Sequence, residues 1–367
     1  MAIDEASAVD VAPAPESEPQ HTARSGLSGP RAASVAFGVY LFASFFISLH
    51  LGRRMWFYQD DWHMLLRNLS TPAGLLNPFN QTHWVTIPLL VYHVLFWLFG
   101  LHYAPYQICT IVLHLALAVL IRTVMRRAGV GPWLATITAS IFVLFGPGYS
   151  GILDAIQVSL VGSAVFGVCH LLLADHDGPF ARRDLLGLVC GLLGIMSSGI
   201  GTVMIIVVGI AVLIRRGWRL ALIHTVPLAV ISGAWYVAEW HLMHGPHSNT
   251  PVTDAIRWNI EGERAVFGGL GGFGVVAIGF GVVLVVGLAL AWRPFTASVR
   301  KVTAAPLALL LGGPIFFTLT SVQRGYIPHY ETASKFINIV AGVHIAGTHG
   351  CGTSRSRRAG YSRAGRS

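Results

Sequence analysis

Charge is what this chain lacks. Of its 367 residues only 11% are Asp, Glu, Lys or Arg, against about 25% in an ordinary soluble domain. With 54% hydrophobic residues and a mean hydropathy of +0.62, it could not cover a water-facing surface. That excludes the soluble globular, fibrous and mostly disordered classes. Lysine is nearly missing: Lys301 and Lys335 are the only two, so arginine carries the net charge of +9. Arginine clusters between apolar segments set topology and meet anionic headgroups, and no nucleic-acid partner is expected. Cysteine is scarce too. Cys109, Cys169 and Cys190 lie in apolar stretches and Cys351 in the tail, with no CxxC spacing; this excludes a disulfide framework and a thiolate zinc site. There is no Walker A lysine, no GxSxG elbow and no HExxH.

What is present is a succession of apolar segments. The expected fold is all-α: a polytopic transmembrane helix bundle of about nine or ten segments, with a first outer-face loop that contains a short amphipathic helix. Residues 1–30, rich in Ala, Pro, Ser and Glu, read as a disordered cytoplasmic arm; their acidic start is unlike a signal peptide, so no cleavage is expected. The membrane domain runs over 31–346. Its spans are expected at Ala32–Leu51, Ile87–Leu101, Pro105–Val124, Trp133–Tyr149, Ile152–Ala174, Leu185–Ser197, Ile200–Ile214, Trp218–His241, Ala265–Trp292 and Val302–Ser321. Leu185–Ser197 and Ile200–Ile214 are short of the roughly 20 residues that a span needs, and are read as a hairpin turning at Ser197–Gly201. Phe336–Ala346 is half a span. Residues 347–367 are read as a basic disordered tail, either genuine or the product of a frame change that cost a final helix.

The basic clusters Arg122/Arg126/Arg127, Arg182/Arg183, Arg215/Arg216/Arg219 and Arg293/Arg300/Lys301 are placed in the cytoplasm by the positive-inside rule. The turns 146–151, 197–201, 242–264 and 322–335 then face outward, and the chain is expected in the plasma membrane with a cytoplasmic N-terminus. Parity stays open between residues 87 and 124. Either Ile87–Leu101 is a short re-entrant segment, or the Arg122 cluster departs from the rule.

The chemistry-bearing segment is Tyr58-Gln59-Asp60-Asp61-Trp62-His63-Met64-Leu65-Leu66-Arg67. Asp60 fits an N-cap and Asp61 the first helical position, with Trp62, Leu65, Leu66 and Leu69 on one apolar stripe. Side chains of neighbouring helical residues diverge by about 100°, so one acid can act as a general base while the other caps or orients. The acids could also serve only to cap the helix. Asn80-Gln81-Thr82-His83-Trp84 leads into the next segment, with Pro88 beyond. Asp154 and Gln157, one turn apart, are candidates to line a cavity. His241, His244 and His247 lie near Glu239, but Gly245-Pro246 breaks their helix, and they read as interfacial. His93, His102, His114 and His170 are read as neutral and bonded within the bundle. Gly268–Gly274 reads as close helix packing where a membrane helix opens.

Together the Asp-Asp-Trp first loop, the His83 segment and the late Arg324–Lys335 loop resemble the GT-C superfamily of integral membrane glycosyltransferases, over roughly residues 32–335. The group includes protein mannosyltransferases and aminoarabinose transferases. The resemblance implies transfer of a sugar from a polyprenyl-phosphate donor to a glycan, lipid or protein acceptor on the outer face. It implies Asp60 as catalytic base with Asp61 beside it, and His83, Arg324 and Lys335 as substrate- or phosphate-binding residues. Two departures stand out: Pro88 is five residues past His83 rather than adjacent, and Ser334-Lys335-Phe336 replaces the Ser-Arg-Tyr of relatives. No cofactor is expected, and a divalent metal is left open. The alternatives are a transporter or lipid flippase, and a non-catalytic membrane scaffold. A transporter is expected to hold charges near the midplane on broken helices, and the acids here cluster instead at the outer interface.

Overall fold

The computed structural model describes residues 29–79, 83–242, 251–271, 297–324 and 334–352. The expected arm, the 325–333 loop, most of Ala265–Trp292, His244, His247 and the tail beyond 352 lie outside that set. Among the described residues the regular structure is all helical, apart from one isolated bridge, Phe79 to His83. In chain order the helices are α1 (Pro30–Leu51), α2 (Asp60–Leu66), α3 (Pro72–Leu76), α4 (Thr86–Phe99), α5 (Tyr103–Arg127), α6 (Pro132–Val143) and α7 (Tyr149–Leu153). They continue with α8 (Val158–Ala174), α9 (Arg182–Ile195), α10 (Ile200–Arg216), α11 (Trp218–Ala238), α12 (Val252–Gly271), α13 (Ala297–Arg324) and α14 (Ser334–Gly352). Among them five are long and apolar enough to cross a membrane, or six if the bent pair α6–α7 is one span. The chain is a multi-pass membrane protein.

The bundle has two polar ends. At one, Arg127 of α5, Arg183 of α9 and Arg216 of α10 donate to the last carbonyls of α8, at Leu172, Leu173 and Ala174. Cations there complement the negative end of the helix dipole. Arg215 pairs with Asp175 at 2.7 Å, and Lys301 with Asp177 at 3.4 Å. Arg122 also reaches Ser34 near the start of α1, at 3.1 Å. This arginine end therefore gathers the basic clusters that the sequence groups together.

At the first-loop end α4 is tied down at both of its ends. The start of α4 is tied to the α9–α10 turn by Ile87 N–H donating to Met196 O at 3.1 Å. Its far end is tied to α5 by Tyr106 donating to Gly100 O at 3.0 Å. Tyr103, which opens α5, accepts from Ala155 N–H at 3.0 Å, again at the first-loop end. α4, with 14 residues, is shorter than a full span, and both its ends are bonded to the first-loop end of the bundle. It buries Pro88, Leu89 and Tyr92, and leaves Trp97 83% exposed, as a helix lying along the membrane interface would.

Other expectations are corrected. Trp133–Tyr149 is not one straight span: α6 and α7 meet at a 46° bend, at Leu144-Phe145-Gly146-Pro147, where Pro and Gly cannot carry the helix on. The Val143 carbonyl at the break is taken up by His114 Nε2 at 3.2 Å. The 242–264 turn contains α12, whose Asp254, Arg257, Glu261 and Arg264 recur on one face while Trp258, Gly262 and Val266 pack inward. Gly268–Gly271 close a helix rather than open one, although Gly269 does pack tightly, its Cβ position 3.1 Å from Phe145 and Pro147. The helix through Phe336–Ala346 is longer than the apolar run. It runs on to Gly352, six residues into the expected disordered tail, and its Phe336, Ile337, Val340 and Ala341 sit in the main core.

Candidate functional site

The two acids of the first loop have different surroundings. Gln59, at φ 37°, turns the chain sharply into α2, so Gln59 is the N-cap and Asp60, not the residue after it, is the first helical position. Asp61 points inward and is 3% exposed. One of its oxygens accepts from Tyr58 N–H at 2.9 Å, and the other accepts a short bond from the Tyr92 hydroxyl of α4. Burial raises its carboxyl above the usual range; the bonds from Tyr92 and Tyr58 offset part of this, and the charges of Asp154 and Asp60 push the same way as burial. Asp60 keeps 37% of its side chain exposed, with His63 Nδ1 at 4.0 Å. One acid thus anchors α2 while the other is presented.

The anchoring stripe differs from the expected one. Met64 is fully buried beside Phe57, Leu89 and Tyr92, with Trp62, Leu65 and Leu69 partly buried against them, but Leu66 is 77% exposed. Leu66 leaves the stripe because the helix turns Asp61 and Met64, three residues apart, toward α4.

Asp154 lies between α7 and the single 3-10 turn Ala155–Gln157. It accepts from Ser150 at 2.5 Å. Burial pushes its carboxyl above the usual carboxylate range, against the Ser150 bond and the positive field of Lys335. Asp61, Asp154 and Lys335 therefore share one electrostatic neighbourhood, built from α2, the α7–α8 link and the start of α14. Gln157 is buried there with its Oε1 unpaired, and Asn338, one turn below Lys335, packs against Gly148 and Gly151.

His83 is held elsewhere at the same end. Its backbone pairs with Phe79 at 2.8 and 3.0 Å, and its ring faces Gly199 of the α9–α10 turn. Trp84 stacks on Trp235 of α11, with centroids 5.3 Å apart and planes at 5°, and the Trp235 indole donates to Leu76 O at 2.8 Å. The first loop is thereby fastened to α11. Arg324 ends α13, but its side chain lies outside the described residues, so only Lys335 of the late loop is brought to the acids.

No family model, curated protein or solved structure matches the chain. The argument about function rests on the residues themselves. Among the described residues no group of three or more His, Cys, Asp or Glu is placed to hold a metal.

Sequence reasoning missed two polar centres. Tyr92 sits in an apolar segment; the signal was that a buried tyrosine hydroxyl needs a partner. Asp184 was hidden between arginines. It is fully buried at the arginine end and accepts from Arg216 (2.5 and 3.2 Å), His176 (3.1 Å), His224 (3.1 Å) and Ala181 N–H (2.7 Å). Burial alone would raise this carboxyl, but the bonds from Arg216, Ala181 and His176 outweigh it and hold it well below the usual range.

Proposed function

We propose that the chain is a membrane glycosyltransferase of the GT-C kind, moving a sugar from a polyprenyl-phosphate donor to an acceptor at the outer face of the plasma membrane, with the N-terminus in the cytoplasm. The observation that carries this reading is the division of labour in the first loop. Asp61 is consumed in fixing α2, and Asp60 is held solvent-accessible on that fixed helix. A base for a lipid-borne substrate needs both properties.

In this mechanism the Asp60 carboxylate takes the proton of the acceptor hydroxyl as its oxygen bonds to the anomeric carbon. The bond from that carbon to the phosphate oxygen breaks, and its electron pair leaves with the polyprenyl phosphate. The phosphate goes from one negative charge to two, so a cation nearby stabilises the transition state more than the ground state. Lys335 lies in the field of Asp154 and is one such cation.

The test is Asp60→Asn in the full chain, assayed for transfer of radiolabelled sugar from a polyprenyl-phosphate-sugar in membranes. Loss of the base is expected to cut the rate about 10²–10⁴-fold. Unchanged transfer would reduce Asp60 to a structural role at the first helical position. Absence of transfer by the wild type would leave the scaffold reading.

A second reading, a transporter or lipid flippase, is favoured by two features that the sequence did not reveal. One is the bend between α6 and α7. The other is a Glu263–His344 pair at 2.5 Å, set against Gly313 within the apolar length of α13. Ionisable groups inside apolar spans mark pathways. Substrate flux in proteoliposomes that falls on Glu263→Gln, with no sugar transfer, would select this reading.

A further inference from the structure

The face of α2 beside its anchor carries Asp60, His63 and Arg67, spaced i, i+3 and i+7, which aligns them on one side of a helix. His63 is 4.0 Å from Asp60 and its ring meets Phe79 at 6.2 Å. Arg67, at the C-cap, donates from Nη2 to Pro78 O at 3.3 Å. The stripe therefore faces the segment from Pro78 to His83. Arg67 Nη1 is buried and has no hydrogen-bond partner. Among the described residues no carboxylate lies within the 4.0 Å of an ion pair with Arg67. Burial weakens its hold on its proton, and the more distant field of Glu239 compensates in part. Arg216, by contrast, spends its charge on Asp184 at 2.5 Å.

A partly desolvated guanidinium with an unspent donor is costly unless an anion repays it. Its planar fork suits a phosphate. From Asp60 to Arg67 the rise along the helix is about 10 Å, a span that two inclined side chains can close around a sugar phosphate. We propose that Arg67 is the anion-binding group of this site, taking the phosphate of a prenyl phosphate while Asp60 faces the acceptor. This rests on the glycosyltransferase reading for the identity of the ligand, and it replaces Arg324 as the leading phosphate contact.

The experiment uses the full-length protein in phosphatidylcholine nanodiscs and measures equilibrium binding of farnesyl phosphate, with farnesol and inorganic phosphate as the other arms. Saturable binding of farnesyl phosphate is expected, with farnesol at least tenfold weaker. Arg67→Gln is expected to weaken farnesyl phosphate at least tenfold, and Arg67→Lys less, because the charge is kept and the fork lost. Arg219→Gln at the arginine end is the charge-matched control. Melting temperatures of the Arg67 variants within a few degrees of wild type establish that folding is intact, and Arg67→Lys keeps the comparison if Arg67→Gln does not fold. Wild-type affinity in both Arg67 variants overturns the proposal, as does equal binding of farnesol. Displacement by inorganic phosphate at the same concentrations keeps the anion site but overturns a lipid-borne ligand. Loss of binding on adding phosphatidylglycerol reduces it to a bulk headgroup contact and overturns it. Phosphate binding that depends on Arg67, in a protein with no transfer activity, would sink the glycosyltransferase reading alone.

Discussion

At the arginine end Asp184 has left solvent completely and gained five donors, from Arg216, His176, His224 and Ala181. At the first-loop end Asp61 is nearly as buried and has two, from Tyr92 and Tyr58. The same residue type is held strongly acidic in one place and pushed toward neutrality in the other. The first is built to lock four segments, namely the 175–181 link, α9, α10 and α11. The second lies among like charges, Asp60 and Asp154, with Lys335 the nearby cation and an unpaired Gln157 oxygen. Unfavourable arrangements of this kind persist where chemistry requires them. The fully paired acid and the underpaired one thus sit at opposite ends of the bundle.

The strongest test of the contrast is to remove each acid. Asp184→Ala leaves Arg216 buried without its partner and is expected to cost about 3–5 kcal/mol, read as loss of monodisperse protein by size-exclusion chromatography. Wild-type behaviour there would dissolve the contrast. Met64→Ala beneath the first loop is expected to cost about 2–5 kcal/mol, while Leu66→Ala stays within about 0.5 kcal/mol; equal thermal shifts would restore the stripe expected from sequence. Tyr92→Phe strips Asp61 of one donor at about 1–3 kcal/mol, and is expected to lower transfer as α2 loosens.

The smallest effect is the pH profile of melting. Asp61 and Asp154 have raised values in the folded state, so folding favours their protonated forms, and stability rises as pH falls from neutrality toward about 4, the ordinary carboxylate value. Asp184 is shifted the other way. Its contribution is complete above about 4 and is lost as pH falls below that. A shallow maximum in mild acid is expected, and Asp61→Asn should flatten its neutral limb. An unchanged limb would remove Asp61 from the account.

Apolar length carried much of the fold in the sequence. The α1 boundaries, the short α9–α10 hairpin and its turn at Ser197 follow from where hydrophobic runs stop. What runs of that kind cannot show is direction. Ile87–Leu101 suits lipid by composition and was readable either as a crossing or as a re-entrant segment; the Met196 and Tyr106 bonds that fasten its two ends are not visible in composition. The charged face of α12 read as loop because Asp254, Arg257, Glu261 and Arg264 mask its helical period. At the site, the Asp-Asp pair was legible and so was Asp154. The burial of Asp61 was not, since it depends on Tyr92, 31 residues away.

The clamp between Trp235 and Leu76 spans 159 residues of sequence, and this sets an order of assembly. At about 5–20 residues per second, a ribosome needs roughly ten to thirty seconds to travel from the first loop to its anchor. During that interval Trp84 has no stacking partner and the loop has left the ribosome without its fastening. Slowing translation just before residue 235 should lengthen this window of exposure to proteases, and a mature protein carrying Trp235→Ala should resemble the nascent one.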